Sequence, residues 1–185
     1  PLELVRCGAC GLVQLRHTVD RDRLYRRYHY RSGVNETMVA ALRDVVFSAQ
    51  KVVVLEPGDW VLDIGSNDGT LLDQYPPWIK TVGFEPSDVR GHSTPHFVVP
   101  DYFPPTKYPV TEKPCKIITA VAMFYDLDDP GAFLEECKRW LHPEGVLVLQ
   151  FQDLGSMLAS NAIDNVCHEH LTYWSIYPLA ELLDR

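Results

Sequence analysis

No apolar run in this chain approaches the roughly 20 residues that a membrane-crossing helix requires, and nothing near its start has the charged, apolar and small-residue order of a signal peptide. Basic residues are also in short supply, with 17 Lys and Arg against 25 Asp and Glu and a formal net charge of −8. That balance, with a pI near 5.3, argues against a dedicated binder of nucleic acid or of an anionic membrane, whose phosphates call for a basic face. Cysteine is sparse and odd in number, at five. Without an export signal, five cysteines point to reduced thiols and a cytoplasmic protein rather than a disulfide framework. Methionine is rarer still, the first being Met38, and the chain opens on Pro1 and closes on Leu182-Leu183-Asp184-Arg185 inside a helical pattern. A piece cut from a longer protein at both ends is therefore expected. What is plentiful is apolar surface: 46% hydrophobic residues in 185 suffice for the core of one full domain and a small appendage.

Two phosphate-binding patterns are missing where one would look for them. Residues 60–72 read Trp-Val-Leu-Asp-Ile-Gly-Ser-Asn-Asp-Gly-Thr-Leu-Leu, a short apolar strand ending in an acid, a glycine turn, and an apolar pattern that restarts as a helix. Asn67 stands where a dinucleotide fingerprint has its second glycine, and there is no Gly-Lys-Ser/Thr. No Lys or Arg lies between positions 60 and 79 to meet phosphate charge, so the ligand of this turn is not a polyphosphate. A second strand, 81–84, ends in Glu85-Pro86 about 20 residues further on, where a carboxylate can accept both hydroxyls of a ribose. Two carboxylates, Asp63 and Glu85, suit a cationic cofactor that carries a diol. A strand ending in Asp followed by Gly-x-Asn-Asp-Gly resembles the first motif of class I S-adenosylmethionine-dependent methyltransferases. The resemblance implies an S-adenosylmethionine site built from Asp63, Gly65, Ser66, Asn67, Asp68, Gly69, Glu85 and Pro86. The competing reading is a nucleotide-type fold that binds another nucleoside or none.

The remaining elements complete an α/β alternation. A helix is predicted over 35–51, with Asn35 as its cap. Phe97-Val98-Val99 leads into a proline-rich loop, 100–105, whose Asp101, Tyr102 and Phe103 stand where an adenine can be flanked. Residues 116–122 form a continuous apolar run of the buried parallel type, which brings Ala122 and then Met123-Phe124-Tyr125-Asp126 to the same rim. Asp128-Asp129-Pro130 opens a helix, and 146–151 is a fifth strand. Right-handed crossovers then give a doubly wound, Rossmann-like sheet with ligands outside the carboxyl ends of its strands. The expected organisation is a partial zinc-ribbon hairpin over 1–19, a substrate-side segment and packing helix over 20–56, and the cofactor-binding unit over 57–185.

Three segments remain outside that frame. Residues 2–15 read as a β-hairpin whose turn is Cys7-Gly8-Ala9-Cys10-Gly11, half of a zinc ribbon; closing a tetrahedral site takes two more ligands than Cys7 and Cys10 supply. Residues 20–31 interleave Arg21, Arg23, Arg26, Arg27 and Arg31 with Tyr25, Tyr28 and Tyr30, the chain's basic cluster. On so acidic a chain, this reads as a segment folded over a pocket to hold an anionic small substrate, against a solvated helix face as the plainer reading. Residues 164–175 concentrate titratable groups in His168-Glu169-His170. Their spacing is wrong for His-Glu-x-x-His zinc binding, and an imidazole there can act as a general base; satisfied helix histidines are the plainer reading.

Together the Cys-x-x-Cys-Gly hairpin, Tyr28-His29-Tyr30-Arg31-Ser32, the Asp-Ile-Gly-Ser-Asn-Asp-Gly turn and His168-Glu169-His170 make nearly the whole chain similar to the zinc-ribbon-bearing deoxysugar C-methyltransferases. The resemblance implies methyl transfer to the carbon beside the keto group of a nucleotide-linked 4-keto-deoxysugar. It implies His170 as the base that removes the α-proton, Glu169 as its active-site neighbour that orients an imidazole, His168 beside them and Tyr30 against the sugar. It also implies a further C-terminal domain, and a small-molecule acceptor with neither nucleic acid nor membrane as partner. Two positions depart from the family pattern: Cys167 replaces a Tyr before the triplet, and Asp126 replaces a His after the fourth strand. Both face the substrate in the family, which keeps O- or N-methylation of another metabolite open, alongside a non-catalytic nucleotide-fold protein.

Overall fold

The computed structural model describes residues 1–89, 96–105 and 114–184. Two sheets organise it. The larger has the order β5-β4-β3-β6-β7, from Phe97–Val99, Lys80–Phe84, Trp60–Ile64, Cys115–Val121 and Leu141–Gln150, and every neighbouring pair is parallel. Strand order reverses at β3, between β4 and β6, which opens the crevice where such sheets bind ligands. β7 is longer than the sequence predicts. Its first residue pairs with Cys115 and pairing resumes at Val146 opposite Ile117, so the Pro143-Glu144-Gly145 turn is absorbed as an irregularity within the strand.

Buried side chains cover both faces of this sheet. On one, Phe84, Phe103, Phe133 and Trp140 meet edge to face at centroid distances of 5.3 to 5.8 Å, joining the sheet to α3 (Pro130–Trp140). On the other, Leu42, Val46 and Ala49 of α2 (Glu36–Val52) pack against Val61 and Ile117. Both helices start on side-chain caps, Asn35 accepting from Thr37 N–H and Asp129 from Ala132 N–H, each at 2.9 Å.

The smaller sheet is a finding that no local pattern announces. The hairpin of β1 (Leu4–Arg6) and β2 (Val13–Leu15) pairs antiparallel with β8 (Thr172–Tyr173), two residues beyond His170. The His-Glu-His stretch is consequently not helical. It is a loop held between the 3-10 turn Ile163–Asn165 and β8. A second expectation also changes: after Gly69 the chain makes only the 3-10 turn Leu72–Gln74 rather than a helix. Tyr75 precedes Pro76 and lies extended at φ −84°, ψ 147°, as a residue before proline must to avoid the ring. Among the described residues no helix is long and apolar enough to cross a membrane.

Candidate functional site

The turn after β3 is built from three left-handed residues, Gly65 (φ 74°), Asn67 (φ 51°) and Gly69 (φ 86°). Asparagine tolerates that conformation better than other side-bearing residues, and here it also holds a strap in place. Its side-chain oxygen accepts from Ser32 N–H and its amide donates to the Tyr30 carbonyl, both at 3.0 Å, while Asp68 accepts from Gly33 N–H at 2.9 Å. The glycine turn thus staples residues 30–33 across its own mouth. Glu85, at the end of β4, accepts Asn67 N–H on one oxygen and Ser87 N–H on the other, each at 2.8 Å. Asp63 is buried at the end of β3 and accepts from the Thr119 hydroxyl at 2.6 Å. Burial, reinforced by the charge of Glu85 and opposed by the Thr119 hydrogen bond, pushes its carboxyl up to about 7.

A single cleft gathers most of the residues that the sequence singles out. Asp63, Gly65, Ser66, Asn67, Glu85, Pro86, Asp101, Tyr102, Phe103, Ala122 and Tyr30 all line it. Ala122 sits at φ 53°, a left-handed conformation that costs an alanine about 1 to 2 kcal/mol, at the carboxyl end of β6. The hydroxyl of Ser66 is buried without a partner among the described residues. Gly83 keeps that hydroxyl in place, since an added Cβ would come within 2.8 Å of the Ser66 Cβ. An orphaned donor, two carboxylates and a glycine turn suit a cationic, diol-bearing group, so the residues fit S-adenosylmethionine. Asp68 and Gly69 lie outside the lining and serve the turn itself: Asp68 also accepts from Thr70 Oγ1 at 2.6 Å, and Gly69 N–H donates to the Ser66 carbonyl at 2.9 Å. Phe103 belongs mainly to the aromatic core, and Tyr102 is engaged elsewhere, donating to Asp22 at 2.9 Å beneath the Arg21 guanidinium.

The basic and aromatic segment folds over this cleft through α1 (Arg21–Tyr25) and the residues after it. Arg21, Tyr25 and Tyr28 join Tyr30 in the lining, the three rings following one another at 6.0 and 6.5 Å. The sequence places Tyr25 and Tyr28 in the segment expected over a pocket but gives only Tyr30 a role, because nothing local distinguishes the other two from a solvated face. Burial raises both hydroxyls above the usual tyrosine range, with Asp126 and Glu169 adding to it. Asp126 also lines the cleft.

None of His168, Glu169 and His170 is part of the lining, but Glu169 and His170 adjoin residues that are, Tyr25 directly and Asp126 through its neighbour Tyr125. The Glu169 carbonyl accepts the Tyr25 hydroxyl at 3.4 Å. The His170 ring lies 4.4 Å from that of Tyr125, the neighbour of Asp126, and its Nδ1 is 2.8 Å from the Asn165 carbonyl. A backbone carbonyl only accepts, so Nδ1 carries the proton and Nε2 is the basic nitrogen. The orienting partner is thus the Asn165 backbone rather than the Glu169 carboxylate, and a backbone atom leaves no residue-type signal to read. His168 is exposed.

Cys7 and Cys10 sit at the hairpin turn, closed by Gly11 N–H to the Cys7 carbonyl at 3.0 Å with Gly11 at φ 76°. Backbone N–H groups of Cys10 and Ala9 directed at the Cys7 thiol hold it below the ordinary cysteine range. Among the described residues no group of three or more His, Cys, Asp or Glu side chains gathers to hold a metal.

A family profile described as "Methyltransferase domain" matches residues 28–185, well over half of the chain. A curated relative, C-methyltransferase NovU of Streptomyces niveus, is 25% identical over 191 residues, covering 100% of this chain and 46% of its own length. The chain thus spans about half the length of that relative. In solved structures, a chain from a complex containing the Haloferax volcanii Trm112 methyltransferase activator aligns with a TM-score of 0.64 at 20% identity, covering 82% of this chain and 71% of its own. The plantazolicin methyltransferase BpumL in complex with SAH aligns at 0.62 with 15% identity, over 78% of this chain and 61% of its own. These likenesses agree with the α/β fold built on a parallel sheet.

Proposed function

The chain belongs to this methyltransferase domain family, and from that premise we propose that it transfers a methyl group from S-adenosylmethionine to carbon, beside the keto group of a nucleotide-linked deoxysugar. The observation that carries the reading is one cleft in which Asp63 and Glu85 stand with a tyrosine and arginine strap, with a histidine of fixed tautomer against Tyr125, the neighbour of its lining residue Asp126. The relative at 25% identity, itself a C-methyltransferase, supports the choice of carbon.

When bound, S-adenosylmethionine supplies an electrophilic methyl group on a sulfonium. The chain's residues do the rest. Glu85, pre-set by two amides, accepts ribose hydroxyls, and the carboxylates favour a cationic ligand. Gly65 lets the ligand approach the backbone closely, and Asp101 and Phe103 flank the base. Arg21 and Tyr30 hold the acceptor, a diphosphate being the natural partner of a guanidinium. His170 removes the α-proton, which makes the neighbouring carbon nucleophilic.

The test is direct: the protein is incubated with S-adenosylmethionine and a nucleotide-linked 4-keto-deoxyhexose, and the product is examined by NMR. A new carbon-bound methyl next to the keto carbon is expected. Methyl on oxygen or nitrogen would sink the C-methylation reading and leave the family intact.

Zinc belongs to the same proposal, through Cys7 and Cys10 with two further ligands. Structural sites need the tetrahedron closed. Residues 1–185 alone are therefore expected to carry far less than one zinc per chain by elemental analysis; a full, tightly held equivalent would contradict this assignment.

A further inference from the structure

One carboxyl group in the cleft wall has no task in the scheme above. Asp126 ends the 3-10 turn Phe124–Asp126 that follows β6, placing it on the rim where the sheet's strands finish. It lines the cleft, and its Oδ1 is buried with no hydrogen-bond partner among the described residues. Leaving such an atom unpaired is costly, and folds rarely keep one without a use. The groups that face it are Tyr25 and Tyr28 from the strap, Tyr125 beside it in the chain, Tyr173 from β8, and Glu169 from the loop before β8. They are hydroxyls and an acid, with no Lys or Arg among them to hold a carboxylate charged. Burial first, then the Glu169 charge, outweigh the Tyr25 hydrogen bond and push the Asp126 carboxyl up to about 8. A carboxyl kept neutral by its surroundings donates a hydrogen bond as well as accepting one.

An enolising ketone needs such a donor where its negative charge grows. We propose that Asp126 is a catalytic residue that acts uncharged, its carboxyl O–H meeting the substrate's carbonyl oxygen and holding the charge that develops there as the α-proton leaves. The inference rests on the C-methylation reading. In the first step the α-proton passes to His170 Nε2, the C–H pair becomes the carbon–carbon π bond, and the carbonyl π pair moves onto the oxygen facing Asp126. In the second the carbon–carbon π pair bonds to the methyl carbon, the carbon–sulfur pair leaves with sulfur, and the carbonyl re-forms. Asp126 ends as it began, protonated, and His170 returns its proton to solvent.

Asp126→Asn keeps a donor of similar size that does not titrate, whereas Asp126→Ala keeps none. The assay follows deuterium entering the α-carbon of a nucleotide-linked 4-keto-deoxyhexose in deuterated water with S-adenosylhomocysteine present. Calorimetry with S-adenosylhomocysteine shows whether each variant retains its fold. The alanine variant is expected to exchange about 100- to 1000-fold more slowly, and the asparagine variant to stay within about tenfold of the parent. Exchange by the parent should fall as pH rises through about 8, because the donor is lost on ionisation, while the asparagine variant holds its rate. If the alanine variant exchanges as fast as the parent, or if both variants bind S-adenosylhomocysteine and are equally slow, the donor role is overturned and C-methylation stands. Should the alanine variant not bind, the pH profile decides, and a fall near 8 that persists in the asparagine variant overturns the role. A parent that exchanges at no pH overturns C-methylation and this inference with it.

Discussion

Glu85→Ala is expected to weaken S-adenosylhomocysteine binding by about 1 to 3 kcal/mol, roughly five- to 150-fold in Kd, and to lower the stability of the ligand-free protein as well. Both effects follow from the same geometry. In the folded chain the carboxylate is buried and accepts Asn67 N–H and Ser87 N–H, at 2.8 Å each. Removing it leaves two backbone donors without that acceptor in a water-poor site, a loss of about 1 to 3 kcal/mol for each donor left unsatisfied. One of these donors belongs to the residue that pins the strap over the cleft, so the mouth of the site should loosen together with the ribose contact. Calorimetry with S-adenosylhomocysteine reads the first effect and thermal unfolding without ligand reads the second. Binding as tight as the parent's, with NAD preferred to either sulfur ligand, would move the cofactor away from Glu85 and contradict the assignment.

The features that were legible in the sequence are those whose cause is local. The Asn35 cap, Asp129 before Pro130, and the apolar run ending in Asp63 each announce an element within a few residues, and each is present. Asn67 was legible as a departure from a glycine pattern. Its reason emerges only in three dimensions, because the same side chain that accepts the left-handed turn reaches across 35 residues to Ser32 and 37 to Tyr30. The helix expected after Gly69 failed on a signal that was present, the Pro76-Pro77 pair that forces Tyr75 into extended backbone. The pairing of the Cys-x-x-Cys hairpin with β8 was not legible at all. Thr172 and Tyr173 have the alternation of a two-residue strand and nothing more, and register across some 158 positions is set by what the fold brings together.

That pairing matters for the site. Leu15 N–H donates to the Leu171 carbonyl at 2.9 Å, and the Thr172 hydroxyl donates to the Tyr125 carbonyl at 3.1 Å. The two residues that follow His170 are therefore tied to the hairpin and to the rim that carries Asp126. Burial of Asp126 is likewise a product of these contacts, which is why the sequence marked the residue as a departure from a pattern and gave no sign of its chemistry.

His170→Asn is expected to slow deuterium entry into the α-carbon by about 100- to 10,000-fold, the usual contribution of a positioned general base. The argument begins with the tautomer. Nδ1 donates to the Asn165 carbonyl at 2.8 Å, which leaves Nε2 with its lone pair, and the ring is steadied at 4.4 Å from Tyr125. An asparagine side chain can reproduce the hydrogen bond to Asn165 but supplies no basic nitrogen, so binding of S-adenosylhomocysteine should be preserved while exchange is lost. His168 provides the comparison within the same triplet. It is exposed and outside the cleft lining, and His168→Asn should exchange nearly as the parent does. Glu169→Gln should fall between them, because its side chain acts on the cleft through its charge near Asp126 and the tyrosine hydroxyls rather than through the imidazole. An O-methyltransferase would also use a base, yet it would never exchange a carbon-bound proton, so exchange that depends on His170 speaks for carbon chemistry in particular. Exchange undiminished in His170→Asn but lost in His168→Asn would transfer the base to the exposed histidine, and with it the direction from which the acceptor enters.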